Sequence, residues 1–138
     1  MQFLSKEHAV NFNEMIQKDN THPKDTERYS LFYIIAGNED LFRKRKFLYD
    51  FESKGIIANC IDDGTVDLSS SAKALVRLAF NLYNSYEDKY TTPIDIFYSL
   101  DDKNYNLAMN SIAIRFGRGI ESERICDMEQ ENNEELEV

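Results

Sequence analysis

The sequence predicts an all-α protein: a compact bundle of five or six helices over residues 1–118, followed by an acidic stretch over 119–138. Three observations predict this. Apolar residues recur at spacings of three and four in several windows. Ser, Asp, Asn or Thr precedes those windows and Gly comes after several of them, which are helix start and stop signals. Charge is also divided unevenly along the chain. Residues 119–138 hold eight acidic residues and one basic residue, whereas 1–118 hold 17 acidic and 15 basic, so the body is nearly neutral.

Taken in order, Ser5 caps a first helix in which Ala9, Phe12, Met15 and Ile16 make an apolar stripe. Asn20 to Asp25 is a turn, because Pro23 keeps His22 out of helical geometry and Asp25 caps the next helix. Tyr29 to Ala36 is almost continuously apolar and therefore buried on all sides. A strand over Leu31–Ile35 would fit the same run, but the cap before it and Gly37 after it favour a helix. Asn38 caps a further helix, with Glu39 and Asp40 in its first turn and Gly55 as its stop. On that helix Leu41, Phe47, Leu48 and Phe51 share one arc, and Phe42 with Tyr49 forms a second stripe. Residues near 57–68 read as a short β-hairpin about Asp62-Asp63-Gly64, or as a plain loop. After Ser69, a helix over about 70–86 is apolar around most of its circumference and is expected at the centre of the bundle. Thr92-Pro93 starts a short helix. Asp101-Asp102 opens the last one, with Tyr105, Ala108, Met109, Ile112 and Phe116 as its main stripe and Leu107 with Ile114 as a second.

Composition narrows the function classes. With 138 residues, 42% hydrophobic and 30% charged, the chain suits one soluble domain rather than a disordered or fibrous protein. Two cysteines cannot make a secreted disulfide scaffold, no run is long enough for a membrane span, and the first residues lack a signal-like layout. A cytoplasmic protein is therefore expected. The stretch 119–138 is too polar to bury much surface and is expected to be a disordered, solubilising end.

Chemistry-bearing motifs are few. His8, His22, Cys60 and Cys126 stand at no metal-ligand spacing, so neither a metal nor a cofactor is expected. Ser70 and Lys73 match S-x-x-K without the companion elements that such a nucleophile needs, and helix capping explains the serines. Arg43, Lys44, Arg45 and Lys46 are consecutive helical positions that point around the whole axis and cannot track phosphates, so nucleic-acid binding is not expected. No residue receives a catalytic role. Candidate binding residues are His22, Asp25, Glu27 and Arg28, where a turn could set an imidazole beside a carboxylate, and the stripe Phe42 and Tyr49.

Asp19 to Leu41, Ser69 to Asn84 and Pro93 to Phe116 together resemble a family of small uncharacterised bacterial proteins often carried on mobile elements such as conjugative transposons and prophages. The resemblance covers nearly all of residues 1–118. It brings no established activity. It implies a cytoplasmic accessory protein that serves the element or counters its host. The leading functional expectation is a non-enzymatic module that binds another protein, one with a basic surface or a second copy of itself, using the second apolar stripes. The alternative is a small-ligand binder or enzyme using the His22–Asp40 region.

Overall fold

The structure is a computed structural model that describes residues 1–118. The expectation of a disordered end over 119–138 lies outside the described residues. Six α-helices run in the order α1 (Lys6–Asp19), α2 (Thr26–Gly37), α3 (Glu39–Arg43), α4 (Ser70–Asn84), α5 (Pro93–Phe97) and α6 (Asp102–Arg115). Each begins at a side-chain cap: Ser5, Asp25, Asn38, Ser69, Thr92 and Asp101 each accept from the backbone N–H three residues on. Asn20 and Ser85 end α1 and α4 in left-handed geometry.

The centre belongs to α2 rather than to the expected helix α4. Ser30 through Gly37 are all buried, and α1, α3, α4 and α6 all pack against α2. The alternative strand over Leu31–Ile35 does not form. Helix α4 lies beside α2, with α5 and α6 on its other sides. Its apolar face dominates as expected, and the narrow strip of Lys73, Arg77, Asn81 and Asn84 meets solvent, joined by the partly accessible Tyr83.

Two segments differ from expectation. The helix foreseen from Asn38 to Gly55 stops after Arg43, continues as a 3₁₀ turn (Arg45–Phe47), and becomes strand β1 (Tyr49–Asp50). β1 pairs antiparallel with β2 (Gly55–Ile56), Tyr49 opposite Ile56. A hairpin therefore exists, but it lies upstream of the expected 57–68, where the chain instead forms a 3₁₀ turn (Ala58–Ile61) and a loop. The cause is tertiary: Leu48 and Tyr49 are both fully buried. Ile57 N–H donates to Leu48 O, and the Tyr49 hydroxyl donates to Asp19 Oδ1. The Asp50 carboxylate holds the connection by accepting from Glu52 N–H and Ser53 Oγ, and Lys54 takes a left-handed φ of 61°.

The second difference concerns α6. The structure buries Leu107 and Ile114, the second stripe, together with Ser111 and with Ala108 from the expected main stripe. The expected main stripe mostly faces out, with Tyr105, Met109 and Phe116 exposed. Small residues decide between the arcs. Ala108 and Ser111 are fully buried, and Ser111 Oγ donates back to Ala108 O at 2.7 Å. Helix α6 therefore comes close enough to α2 for Leu107 to touch Gly37.

Candidate functional site

The turn between α1 and α2 brings together Asp19, Asp25, Arg28 and Tyr49. Asp25 Oδ1 caps Arg28 N–H at 2.9 Å, and its Oδ2 accepts from Arg28 Nη1 at 2.9 Å. Arg28 Nε donates to Tyr49 Oη at 3.0 Å, and Nη2 donates to Lys54 O at 2.6 Å. The Tyr49 hydroxyl in turn donates to Asp19 Oδ1 at 2.6 Å, while Thr21 Oγ1 donates to Oδ2 at 2.7 Å. The guanidinium lies 5.3 Å from the Tyr83 ring centroid. This network ties α1, α2, the hairpin and α4 together at one end of the bundle.

Its electrostatics hold it in one state. Burial raises the Tyr49 phenol, and the bond to the Asp19 carboxylate raises it further, against the opposing pull of Arg28. Burial disfavours the Arg28 charge, yet hydrogen bonds to Tyr49 and Asp25 outweigh it and push the guanidinium up from its already high value. Tyr49 therefore stays a neutral hydroxyl and Arg28 a cation throughout the physiological range. The donors and acceptors are spoken for inside the protein. The arrangement is a clamp with Asp19 and Tyr49 buried and Arg28 and Asp25 partly exposed at its edge.

Four of the six candidate residues fall outside that clamp or change their meaning within it. His22 is exposed and accepts from Lys24 N–H through Nδ1 at 3.0 Å, so its imidazole is not set against Asp25. Glu27 faces Arg115 at 3.6 Å across to α6. Phe42 is half-buried beneath the Arg45 guanidinium, 3.9 Å from its ring centroid. Tyr49 is fully buried, so the proposed outward stripe of Phe42 with Tyr49 does not exist, and the same holds for Leu107 with Ile114. Asn38 to Asp40 lie at the far end of α2, about 18 Å away for a helix of this length, so the His22–Asp40 region is two places rather than one. Sequence reasoning missed Asp19. An acidic side chain in the last turn of a helix opposes the dipole there, and that conflict was the available sign of a cationic or hydroxyl partner.

Elsewhere the reactive groups are similarly occupied. Burial, with Asp63 and Asp62 nearby, raises the Cys60 thiol to about 11, so thiolate is scarce at neutral pH. Of the basic cluster, Arg43 and Lys44 pair with Asp40, and Arg45 pairs with Glu14. Among the described residues, no group of three or more His, Cys, Asp or Glu side chains is arranged to hold a metal, and no helix is long and apolar enough to cross a membrane. An open recess of about 300 Å³ lies between the end of α2 and the start of α6, lined by Gly37 to Asp40, Asp101, Lys103 and Asn104. Four of its polar side chains serve the fold: Asn38 caps α3 and bonds Asn104, Asp101 caps α6, and Asp40 holds Arg43 and Lys44.

Among the large apolar side chains left exposed, Val10, Phe47 and Tyr90 stand elsewhere, while Ile94, Tyr98, Tyr105, Met109 and Phe116 fall on or beside α5 and α6. Tyr98 just past α5 is 89% exposed, Tyr105 and Met109 on α6 are 48% and 43% exposed, and Phe116 just past α6 is 68% exposed. Phe97 meets Tyr105 edge-on, ring centroids 5.7 Å apart, and joins the two helices there.

These features define a small all-α domain with its polar chemistry turned inward and aromatic side chains displayed on one helix pair. The chain belongs to the DUF6075 family, a family of unknown function whose profile matches residues 1–128. No curated protein and no solved structure gives a match.

Proposed function

We propose that this chain is a non-enzymatic protein-interaction module, and that the outer face of α5 and α6 is its contact surface. The observation that carries this reading is the row of exposed apolar side chains at Tyr98, Tyr105, Met109 and Phe116. Large rings left in water favour association, because covering them removes apolar surface from solvent. The occupied state of Asp25, Arg28, Tyr49 and Cys60 supports the same reading from the other side. A small-ligand site has the recess beside Asn38 and Asp101 in its favour, but Asn38, Asp40 and Asp101 there already serve as caps and ion-pair partners. The family resemblance adds the setting: a cytoplasmic accessory protein of bacterial mobile elements. The acidic composition of 119–138 suits a partner with a basic surface, which long-range attraction would steer toward the chain.

Site-directed photocrosslinking in the host tests the surface. A crosslinking residue at Tyr98 or Met109 is expected to give discrete adducts, and one at exposed Lys24 or Glu52 is not. Equal labelling at all four positions would count against a dedicated face.

A further inference from the structure

The segment ahead of α1 is tied down by its backbone on both sides of Phe3. Leu4 N–H donates to His8 Nδ1 at 3.1 Å. The Tyr33 hydroxyl donates to the Gln2 carbonyl and accepts from Asn110 Nδ2 at 3.0 Å. Between those ties the Phe3 ring meets the His8 ring edge-on, centroids 5.1 Å apart, with the Phe12 ring at 5.4 Å and the Tyr33 ring at 5.9 Å. Phe3 and Leu4 are half-buried, whereas His8, Phe12 and Tyr33 beneath them are buried. Residues 2–4 are therefore a strap, outside regular secondary structure, laid over an aromatic floor.

One nitrogen of His8 decides whether that strap can close. Nε2 faces the Tyr33 carbonyl at 2.9 Å, and a carbonyl oxygen only accepts, so Nε2 carries the proton of the neutral ring. Nδ1 is then bare, as the bond from Leu4 N–H requires. A second proton has only Nδ1 to bind. There it meets the Leu4 N–H donor to donor, and the bond that closes the strap becomes a repulsion. The ring, 2% exposed, has no counter-charge to receive it. His8 lies in the first turn of α1, where the helix dipole disfavours a cation. Lys103 of α6 opposes a second positive charge through space. Tyr33 of α2 is a phenol that burial keeps neutral, and Lys6 and Glu7, beside His8 on α1, are exposed. The strap residues Gln2, Phe3 and Leu4 have no acidic or basic side chain. Lifting the strap hydrates Nδ1 and leaves the Nε2 bond to Tyr33 O in place.

We propose that His8 is a proton-sensitive latch: its neutral ring holds residues 2–4 closed over Phe12 and Tyr33, and protonation at Nδ1 releases them and vacates the slot that Phe3 fills. The sign follows from the bare nitrogen. Closure is complete above about pH 6.5 and is lost as pH falls through the titration of His8, which burial moves below its ordinary value. The latch is separate from the α5 and α6 face, and its fate in experiment leaves the interaction reading untouched.

Nuclear magnetic resonance of the full chain, followed from about pH 8 to about pH 5 across the His range, tests the latch. The imidazole nitrogen signals at the upper end are expected to show the proton on Nε2. As pH falls, the Leu4 amide signal should move on the same titration curve as the His8 ring, and the ring-to-ring contacts of Phe3 with Phe12 and Tyr33 should fade with it. Protection of the Leu4 amide from exchange should drop at least about tenfold while amides of α2 and α4 keep theirs. His8→Gln retains a side-chain N–H for Tyr33 O and cannot titrate, so its Leu4 signal should stay flat over the same range. Three results from the parent chain would overturn the latch: a neutral ring protonated on Nδ1, a Leu4 amide that ignores the titration of His8, or a strap that loses protection only together with α2 and α4. An acid response in His8→Gln equal to the parent's would overturn it as well.

Discussion

Gly37 is the tightest joint in the bundle, and Gly37→Ala measures how much depends on it. The residue closes α2 in ordinary helical geometry, so its lack of a side chain is a matter of space rather than of backbone angles. A Cβ there would stand 2.3 Å from Leu107 Cδ1 and 2.8 Å from His8 Nε2. Carbon atoms in contact prefer about 3.5–4.0 Å, so one neighbour must retreat by more than an ångström. Neither has room, since Leu107 is fully buried and His8 is only 2% exposed. Overpacking of this kind costs about 1–3 kcal/mol. The better helix propensity of alanine returns less than about 1 kcal/mol at a terminal position. A net loss of about 2 kcal/mol is expected, seen in urea denaturation as a lower midpoint with unchanged slope, and in thermal unfolding as a drop of about 8 °C. Displacing His8 also strains its 2.9 Å bond to Tyr33 O, which favours the protonated imidazole, so the His8 pKa should fall further below its ordinary value in the variant. A Gly37→Ala protein as stable as the parent would refute the close approach of α2 and α6 and, with it, the assignment of α6's inner arc.

The buried polar groups give three further expected outcomes. His8 accepts from Leu4 N–H at Nδ1 and faces Tyr33 O through Nε2, and burial, outweighing the Tyr33 bond and joined by Lys103, lowers its pKa. The unfolded chain therefore binds the proton more readily, and stability should be full above about pH 6.5 and fall as pH drops through the lower folded value; denaturation midpoints across that range check it, and a His8→Gln chain should lose the dependence. Burial works against the Asp88 charge, yet bonds from Arg77, Thr91, Tyr90 N–H and Tyr86 hold the carboxyl at about 2. Between about pH 4 and pH 2 the loop after α4 should lose stability on the order of 1 kcal/mol, after allowance for solvent screening, and Asp88→Asn should remove that step. Tyr49→Phe leaves Asp19 without its 2.6 Å donor and Arg28 Nε without an acceptor, so denaturant unfolding should show a loss of about 1–3 kcal/mol.

The parts of the fold that were legible in the sequence are those fixed by neighbours a few residues apart. Six caps, each a side-chain oxygen reaching the N–H three residues on, set all six helix starts, and each is a residue type that announces itself. Residues 44–68 were not legible because distant contacts decide them. The Lys44 ammonium reaches both Asp40 and the carbonyl of Asp67, Ile57 N–H donates to Leu48 O, and the Tyr49 hydroxyl spans to Asp19. None of these leaves a local pattern. The helical periodicity of Leu41, Phe47, Leu48 and Phe51 was a coincidence that those contacts override.

Helix α6 shows why the functional face was harder to find than the fold. Its sequence holds two apolar stripes, and periodicity ranks them by size: Tyr105, Ala108, Met109, Ile112 and Phe116 outweigh Leu107 with Ile114. Packing ranks them the other way, because a helix that must lie against the buried α2 uses the face whose small residues permit a close approach. The bulkier arc is thereby turned outward. Two other stripes expected from the sequence to face outward, Phe42 with Tyr49 and Leu107 with Ile114, failed for the converse reason. Tyr49, Leu107 and Ile114 had inner partners that sequence spacing does not reveal. A chain that keeps small residues for its own core contact and sets large rings on the far side of the same helix has two separate uses for that helix. The inner use holds the bundle together, and the outer one is the contact with a second surface that the proposed function assigns to it.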